Sequence, residues 1–419
     1  MNWKALEHAL FESAKDTLQA VLAEGHGPLH AAVFHASYRE EEATLTLPSL
    51  ALHDRAASDL SFQGDDWNPV DWRWDWDLHD YANAALLALD APLQAHANQR
   101  FRRHWQATEK RFLVTVARAA KRLSAHAHTL PGVAPGFVAF FHDESGDIAL
   151  ARRSLTPAQF ETHFPVERAL EQQLSELARQ PRAQQARFYL SRLGCYDGIS
   201  TEDAQRWLIA HGDAAWEGLV DTLYAPAHSA CAARILGLAG CNRVEVLDAL
   251  RGQASRAPDE PTRNWCIKAL GYLNDEAWLS GQAPEVAAQG LCANFDSFRP
   301  RGAHPALLHY AAVERALAAR PELETAIEAA FDDCPAWADI GAADVVPAVQ
   351  GLQSPYPCVR RHAAGFLGNW GEGLDQLALA LQALRRATDD ADEQVRQRAT
   401  ASVAHLEAFA AKADHLSRS

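Results

Sequence analysis

Beyond residue 185 the apolar positions fall into recurring pairs of helical segments. One segment type is rich in alanine, carries an arginine near its start and ends on Leu-Gly. It reads HSACAARILGLAG at 228–240, PTRNWCIKALGYL at 261–273 and PCVRRHAAGFLGNWG at 357–371. EQVRQRATASVAHLE at 393–407 is a weaker copy, and QARFYLSRLG at 185–194 is a candidate first copy. The accompanying segments, at 213–225, 242–254, 343–354 and 372–387, are amphipathic at helix spacing. The gap between Gly271 and Leu367 spans about three periods, room for two degenerate repeats within 274–340. A lone helix pair cannot bury its apolar stripe, so such pairs stack and share one core. Alanine lets the helices approach, and glycine after leucine is expected to end the helix.

The first 165 residues carry no such repeat. Residues 3–24 predict an amphipathic helix with Leu6, Leu10, Phe11, Ala14, Leu18 and Leu22 on one stripe. Strand-like runs follow at 29–38 and 43–53, the second alternating over Thr44–Leu47. The segment 64–81 is full of Asp and Trp. A helical region spans 81–128, with a break expected near Asp90, Ala91 and Pro92. Residues 136–142 read as a central strand, 143–147 as a turn, 147–155 as a further strand, and a helix starts at Pro157. The expected fold class is therefore an α+β N-terminal domain followed by an all-α helical-repeat solenoid. The expected divisions are an α+β domain at 1–165, a linker helix at 166–183, the solenoid at 184–410 and a tail at 411–419.

The net charge is −15, from 54 acidic and 39 basic residues, and the excess is shared by both parts of the chain. This argues against a basic nucleic-acid module and favours cationic partners. The seven cysteines all lie beyond residue 190, odd in number and without CxxC spacing, which predicts buried small side chains and no disulfide or zinc framework. No apolar run reaches membrane-spanning length, and the N-terminus does not read as a secretory signal, so a cytoplasmic location is expected. Arginine far outnumbers lysine and alanine is abundant, as in products of GC-rich bacterial genomes.

The repeat resembles the HEAT family of short bacterial type, whose second helix has the form V-R-x-x-A-A-x-x-L-G. Val359, Arg360, Ala363, Ala364, Leu367 and Gly368 match it, as do Arg263, Leu270 and Gly271, and Val395, Arg396 and Ala399. The resemblance covers about 183–410 and implies that the second helices line a concave face. The outward positions there are Arg187, Phe188, Arg234, Asn264, Trp265, Lys268, Arg361, His362, Gln397 and Arg398. This row reads either as a groove for an acidic segment or phosphate backbone, or as an ordinary solvated face. The arginines at the consensus position, Arg263, Arg360 and Arg396, read as structural ties between repeats.

Residues 1–165 resemble the bacterial family known as domain of unknown function 4303. The features that carry the resemblance are the N-terminal helix, the first strand, the patch Trp67-Asn68-Pro69-Val70-Asp71-Trp72, and the late apolar strand with its acidic turn. Members are often encoded beside polymorphic toxins and secretion systems, which implies an immunity or accessory role and transfers no catalytic residue.

The Asp/Trp segment is the most unusual local feature. Alternation of Trp72, Trp74 and Trp76 with Asp71, Asp75 and Asp77 would place indoles on one face of an extended segment and carboxylates on the other. Indoles make strong interface anchors and carboxylates recruit basic partners. The alternative is that the indoles roof the domain core. The basic stretch Arg100–Arg122 is expected to face this acidic segment. No Walker loop, G-x-S-x-G, H-E-x-x-H or His-Glu pair is present. No catalytic residue, metal or cofactor is assigned. The reading is a non-enzymatic protein-binding protein, an immunity protein that occludes a cognate, basic toxin or effector domain. Its binding residues are Asp71, Trp72, Trp74, Asp75, Trp76, Asp77, Arg234, Trp265, Lys268, Arg361, His362 and Arg398. A nucleic-acid-binding or base-repair solenoid is the alternative.

Overall fold

The computed structural model describes residues 1–40, 44–54, 69, 72–98, 102–142, 148–196, 198–299, 308–332, 341–369 and 376–418. The chain divides into two compact units, one of Met1–Leu174 with Ala413–Ser419 and one of Ser175–Lys412.

The first unit is built on a four-stranded mixed sheet. Helix α1 (Trp3–Ala23) precedes β1 (Leu29–His35), a short hairpin of β2 (Arg39–Glu40) and β3 (Thr44–Leu45), β4 (Ser49–His53) and β5 (Trp74–Trp76). Short helices α2 (Leu78–Tyr81), α3 (Ala84–Leu87) and α4 (Asp90–Ala97) lead to the long α5 (Arg102–Ala127). Strand β6 (Val133–Phe141), α6 (Ile148–Ser154), α7 (Pro157–His163) and α8 (Pro165–Ala178) follow. The sheet order is β5-β4-β1-β6, antiparallel except for β1 against β6.

Period two decides what each face meets. Ala32, Phe34, Leu50, Leu52, Phe137, Ala139 and Phe141 turn toward α1 and α5, meeting Leu6, Leu10, Leu18, Phe112, Val116 and Leu123 in one core. Ala31, Val33, Ala51, Val138 and Phe140 turn the other way, onto Ala151, Leu155, Phe160 and Phe164. Helices therefore cover both faces, and α5 lies in the crossover between the parallel strands β1 and β6.

Two local expectations change. Residues 136–142 are apolar on both faces, which suggests a central strand, yet β6 is the border of the sheet among the described residues. Its outer side is met by α6, where Phe141 N–H donates to Ser154 Oγ at 3.3 Å. Residues 148–154 are helical, not a strand, because Ala151 and Leu155 repeat at i, i+4 onto the sheet. The break expected near Asp90, Ala91 and Pro92 is present: α3 ends at Leu87 and α4 begins at Asp90, with Pro92 in its first turn, where a missing N–H costs little.

The second unit is all helix among its described residues. It contains α9 (Arg182–Ser191), α10 (Thr201–Ala210), α11 (Gly212–Leu223), α12 (Ser229–Leu238), α13 (Val244–Arg256), α14 (Glu260–Tyr272) and α15 (Glu276–Leu279). It continues with α16 (Pro284–Leu291), α17 (Tyr310–Ala319), α18 (Glu324–Asp332), α19 (Ala342–Gly351), α20 (Pro357–Gly368), α21 (Leu377–Ala387) and α22 (Glu393–Arg418). Helix α22 takes in most of the expected tail at 411–419. A run of helices packs in succession, with the Leu-Gly helices α12, α14 and α20 in it: α12 on α14, α14 on α16, α16 on α18 and α18 on α20. Helix α20 meets α22, where Ser402 Oγ donates to Ala364 O at 2.9 Å.

The helices do end at or one residue after the Leu-Gly glycines of α12, α14 and α20, but there the glycines are not the left-handed caps. A Cβ on Gly271 would lie 2.0 Å from Gly290 O of α16, and one on Gly368 would lie 2.4 Å from Ser402 Oγ of α22. These positions bring backbones together. The left-handed caps fall later, at Gly240 (φ 65°) after α12 and Asn274 (φ 57°) after α14. In the first copy Gly194 (φ 86°) is itself left-handed.

The consensus arginines share one job. Arg263 Nη1 donates to Ala257 O and Pro258 O at 2.7 and 3.1 Å. Arg360 Nη1 donates to Ser354 O at 2.9 Å, and Arg396 Nη1 to Asp390 O and Ala391 O at 2.8 and 2.9 Å. Each guanidinium satisfies carbonyls of the turn that enters its own helix.

Candidate functional site

In the first unit, Trp74 and Trp76 sit opposite Leu52 and Leu50 and pack on the α1/α5 core, half-buried. Asp75 points through the other face, as the alternation predicts. Trp72 departs from it. The backbone bends at 72–73, and the buried indole joins Ala31, Val33 and Ala51, with its ring 4.6 Å from that of His53. Asp77 is exposed ahead of α2, without a side-chain cap bond, and Asp71 lies outside the described residues. Most of the acidic segment lies there too. The described part of the basic stretch meets α1 instead. Arg111 lies over the Trp3 ring, and Arg122 lies over the Phe11 ring with Nη1 3.5 Å from Glu7 Oε1.

The sheet register builds a pair that the local sequence does not reveal. His35, opposite Ser49 at the end of β1, has Nε2 2.8 Å from Asp75 Oδ1. The imidazole is 1% exposed, and Nδ1 is buried with no hydrogen-bond partner. A His–Asp dyad can orient a base for a nucleophile, but a ring sealed to this degree offers no room for substrate. Its geometry ties β5 to the sheet. Asp75→Ala is expected to cost about 1–3 kcal/mol by stranding the imidazole. Asp77→Ala at the exposed position is expected to stay within about 0.5 kcal/mol. Urea unfolding of both variants checks this.

In the second unit the predicted residues gather in two groups. Arg234 Cζ and Lys268 Nζ approach the Trp265 ring at 5.6 and 5.5 Å, so two cations share one indole. Phe298 stands edge-on to Trp265 at 5.8 Å, 53% exposed. Lys268 Nζ is held by Asp296 Oδ2 at 2.8 Å, and Asp296 also accepts from Tyr272 Oη and Phe298 N–H.

The second group is Arg361, His362 and Arg398. Arg361 bonds Glu328 at 2.8 Å, reaches Asp332 at 3.5 Å, and meets Gln394. It therefore bridges α20 to both α18 and α22. The His362 ring stacks on Phe331 at 4.2 Å, meets Phe295 and Phe366, and shares a hydrogen bond between Nδ1 and Tyr310 Oη at 2.9 Å. Arg398 is exposed, its chain laid over Gly365. Enclosure of the imidazole, with Arg398 and Arg361 nearby, holds His362 down to about 3.

His362 is thus a neutral packing residue, not a member of a cationic row. Its pH dependence follows. Between pH 6.5 and 3 the unfolded chain takes this proton and the folded chain refuses it, so the stability is complete above pH 6.5 and falls as pH drops through that window. His362→Phe is expected to flatten this slope, read from urea midpoints at pH 7 and pH 4.

A cleft of about 880 Å³ lies across α16 and α18. Lys268, Asp296 and Phe298 of the first group line it, together with Glu285, Asp332 (which Arg361 of the second group reaches at 3.5 Å) and the small side chains of Ala288, Ala293, Ala326 and Ala330. The sequence reading placed Lys268 here but missed Phe298, Asp296 and Glu285, which lie in stretches without a clean repeat.

Burial pushes the thiols of Cys266 up to about 12 and of Cys241 and Cys358 up to about 11, so they stay protonated and pack as small apolar groups. Among the described residues no cluster of His, Cys, Asp and Glu is placed to hold a metal ion. No described helix is long and apolar enough to cross a membrane.

No family model matches the chain. No curated protein matches it. Among solved structures, the crystal structure of an engineered protein aligns at 18% identity over 54% of this chain and 97% of that chain, with a TM-score of 0.19.

Proposed function

We propose that the chain is a non-enzymatic protein-binding protein, a bacterial cytoplasmic immunity protein that neutralises a cognate toxin by occluding it. On this reading the helices of 184–410 form a HEAT-like solenoid, 166–183 a linker helix, and 1–165 the head. The observation that carries the reading is the aromatic pair Trp265 and Phe298, of which Phe298 lines the cleft. A large aromatic left half in solvent beside an indole flanked by two cations is the composition of an interface hot spot. The resemblance of the first 165 residues to a family encoded beside toxins supplies the biological context. Support for a protein partner over nucleic acid comes from the cations. Arg361 and Lys268 are held by Glu328 and Asp296, which leaves little positive charge for a phosphate backbone.

The test is co-expression with the toxin-like product of the neighbouring gene. Wild-type protein is expected to co-purify with it and to protect the cell. Phe298→Asp and Trp265→Ala are each expected to weaken capture by ~30-fold or more, about 2 kcal/mol. Recovery of no partner, together with full viability when this gene is deleted beside the intact toxin, rejects the proposal.

A further inference from the structure

We infer that the cleft across α16 and α18 seats a cationic segment of the partner, one that inserts a bulky apolar side chain onto the alanine floor. This rests on the protein-binding reading and deepens it. In the sequence the row Arg234, Lys268, Arg361 and Arg398 looks basic and reads either as a groove for an acidic segment or phosphate backbone, or as an ordinary solvated face. The folded arrangement pairs two of its cations with acids. The Lys268 ammonium is spent on Asp296 at 2.8 Å, and Arg361 bonds Glu328 before it reaches Asp332. Against Lys268, the cleft lining carries Glu285, Asp296 and Asp332. Glu285 and Asp332 are exposed. The field at the mouth is therefore negative, and it draws and orients a positive segment.

The floor explains the apolar anchor. Ala288, Ala293, Ala326 and Ala330 leave space where larger side chains would fill it, and the volume lies within the ~300–1,000 Å³ common for binding clefts. Phe298 at the rim adds an aromatic wall that an inserted aliphatic or aromatic side chain would cover. Alternating basic and apolar side chains on the ligand would satisfy both features.

The experiment uses the full chain and two labelled octapeptides, one alternating lysine with leucine and tryptophan, the other with glutamate in place of lysine. Binding is followed by fluorescence anisotropy at physiological salt. The lysine peptide is expected to bind at least ~10-fold more tightly than the glutamate peptide. Because the whole protein is acidic, the deciding comparison is between variants. Glu285→Lys with Asp332→Lys is expected to weaken the lysine peptide by ~10-fold or more. Glu217→Lys with Glu245→Lys, equal in charge change but away from the cleft, is expected to stay within ~2-fold. Melting curves within a few degrees of wild type show that both double variants are folded.

Equal weakening by the two double variants reduces the effect to bulk charge and overturns the inference, as does a glutamate peptide that binds as well. A concentration-dependent dimer that the cleft variant dissolves would put a second copy there and also overturns it. If the cleft variant loses the peptide yet captures and neutralises the toxin as wild type does, the cleft is not the partner's seat, and the protein-binding reading survives. If wild type binds the peptide through the cleft but captures no toxin, that reading fails instead.

Discussion

Gly271→Ala is expected to destabilise the helical unit by about 3 kcal/mol, the upper end for an overpacked methyl group. The added Cβ would stand 2.0 Å from Gly290 O and 3.0 Å from Ala293 Cβ. Backbone cannot swing aside as a flexible side chain can, so α14 and α16 must separate. Gly252→Ala in α13 is the matched control. Its Cβ would meet only Arg256 Nη2 at 3.8 Å, so the ordinary gain of alanine over glycine in a helix applies, about 0.5–1 kcal/mol of added stability. Opposite signs for one chemical change, measured by urea unfolding, test the close approach directly. Two losses of similar size would show that the α14–α16 contact is not what Gly271 protects.

The second large effect is expected at Arg360. Its guanidinium is bidentate to Asp390 at 2.8 and 2.9 Å while Nη1 serves Ser354 O, and both side chains are about seven-eighths buried. Arg360→Ala removes all of these at once and leaves a buried carboxylate, which is expected to cost about 3 kcal/mol. The pair also has a pH signature. The hydrogen bond from Arg360 holds the Asp390 carboxyl below the usual carboxylate range. Its contribution is complete above the unfolded carboxyl value and is lost as pH falls through the lower folded value. Wild type and Arg360→Ala should therefore converge in stability under acid conditions. A constant difference down to acid pH would mean that the loss is packing alone.

Much of the helical unit is readable because its repeats write the same contacts several times. The consensus arginine at 263, 360 and 396 shows the recurrence, though the contact the three share is not the expected tie between repeats: each reaches back to the carbonyls of the turn that enters its own helix. The glycines mislead because sequence records that a residue is small and not whether smallness serves a cap or a neighbour. Gly194 caps and Gly271 makes room, yet both follow leucine. Residues 147–155 read as a strand in the sequence, because a short apolar run carries both periods, and only the sheet it packs on decides for the helix at 148–154.

The candidate site was less legible. Arg234, Trp265 and Lys268 do come together. The charge of the cleft is not legible in the sequence, because the acids that pair with its cations sit on other elements. Asp296 lies beyond a 3-10 turn, and Glu328 stands on α18 while its partner Arg361 is on α20. His35 and Asp75 are forty positions apart, and nothing short of strand register joins them.

That joint has a consequence for how the sheet treats other chains. An unfinished sheet invites a foreign strand to add to its rim, the first step toward fibrils. Among the described residues one rim, β5, is three residues long and draws the Asp75 carboxylate inward to His35, so an incoming strand would find a short template with a charge beneath it. At the opposite rim the Phe141 amide is already claimed by Ser154 and is not free to pair with a foreign strand.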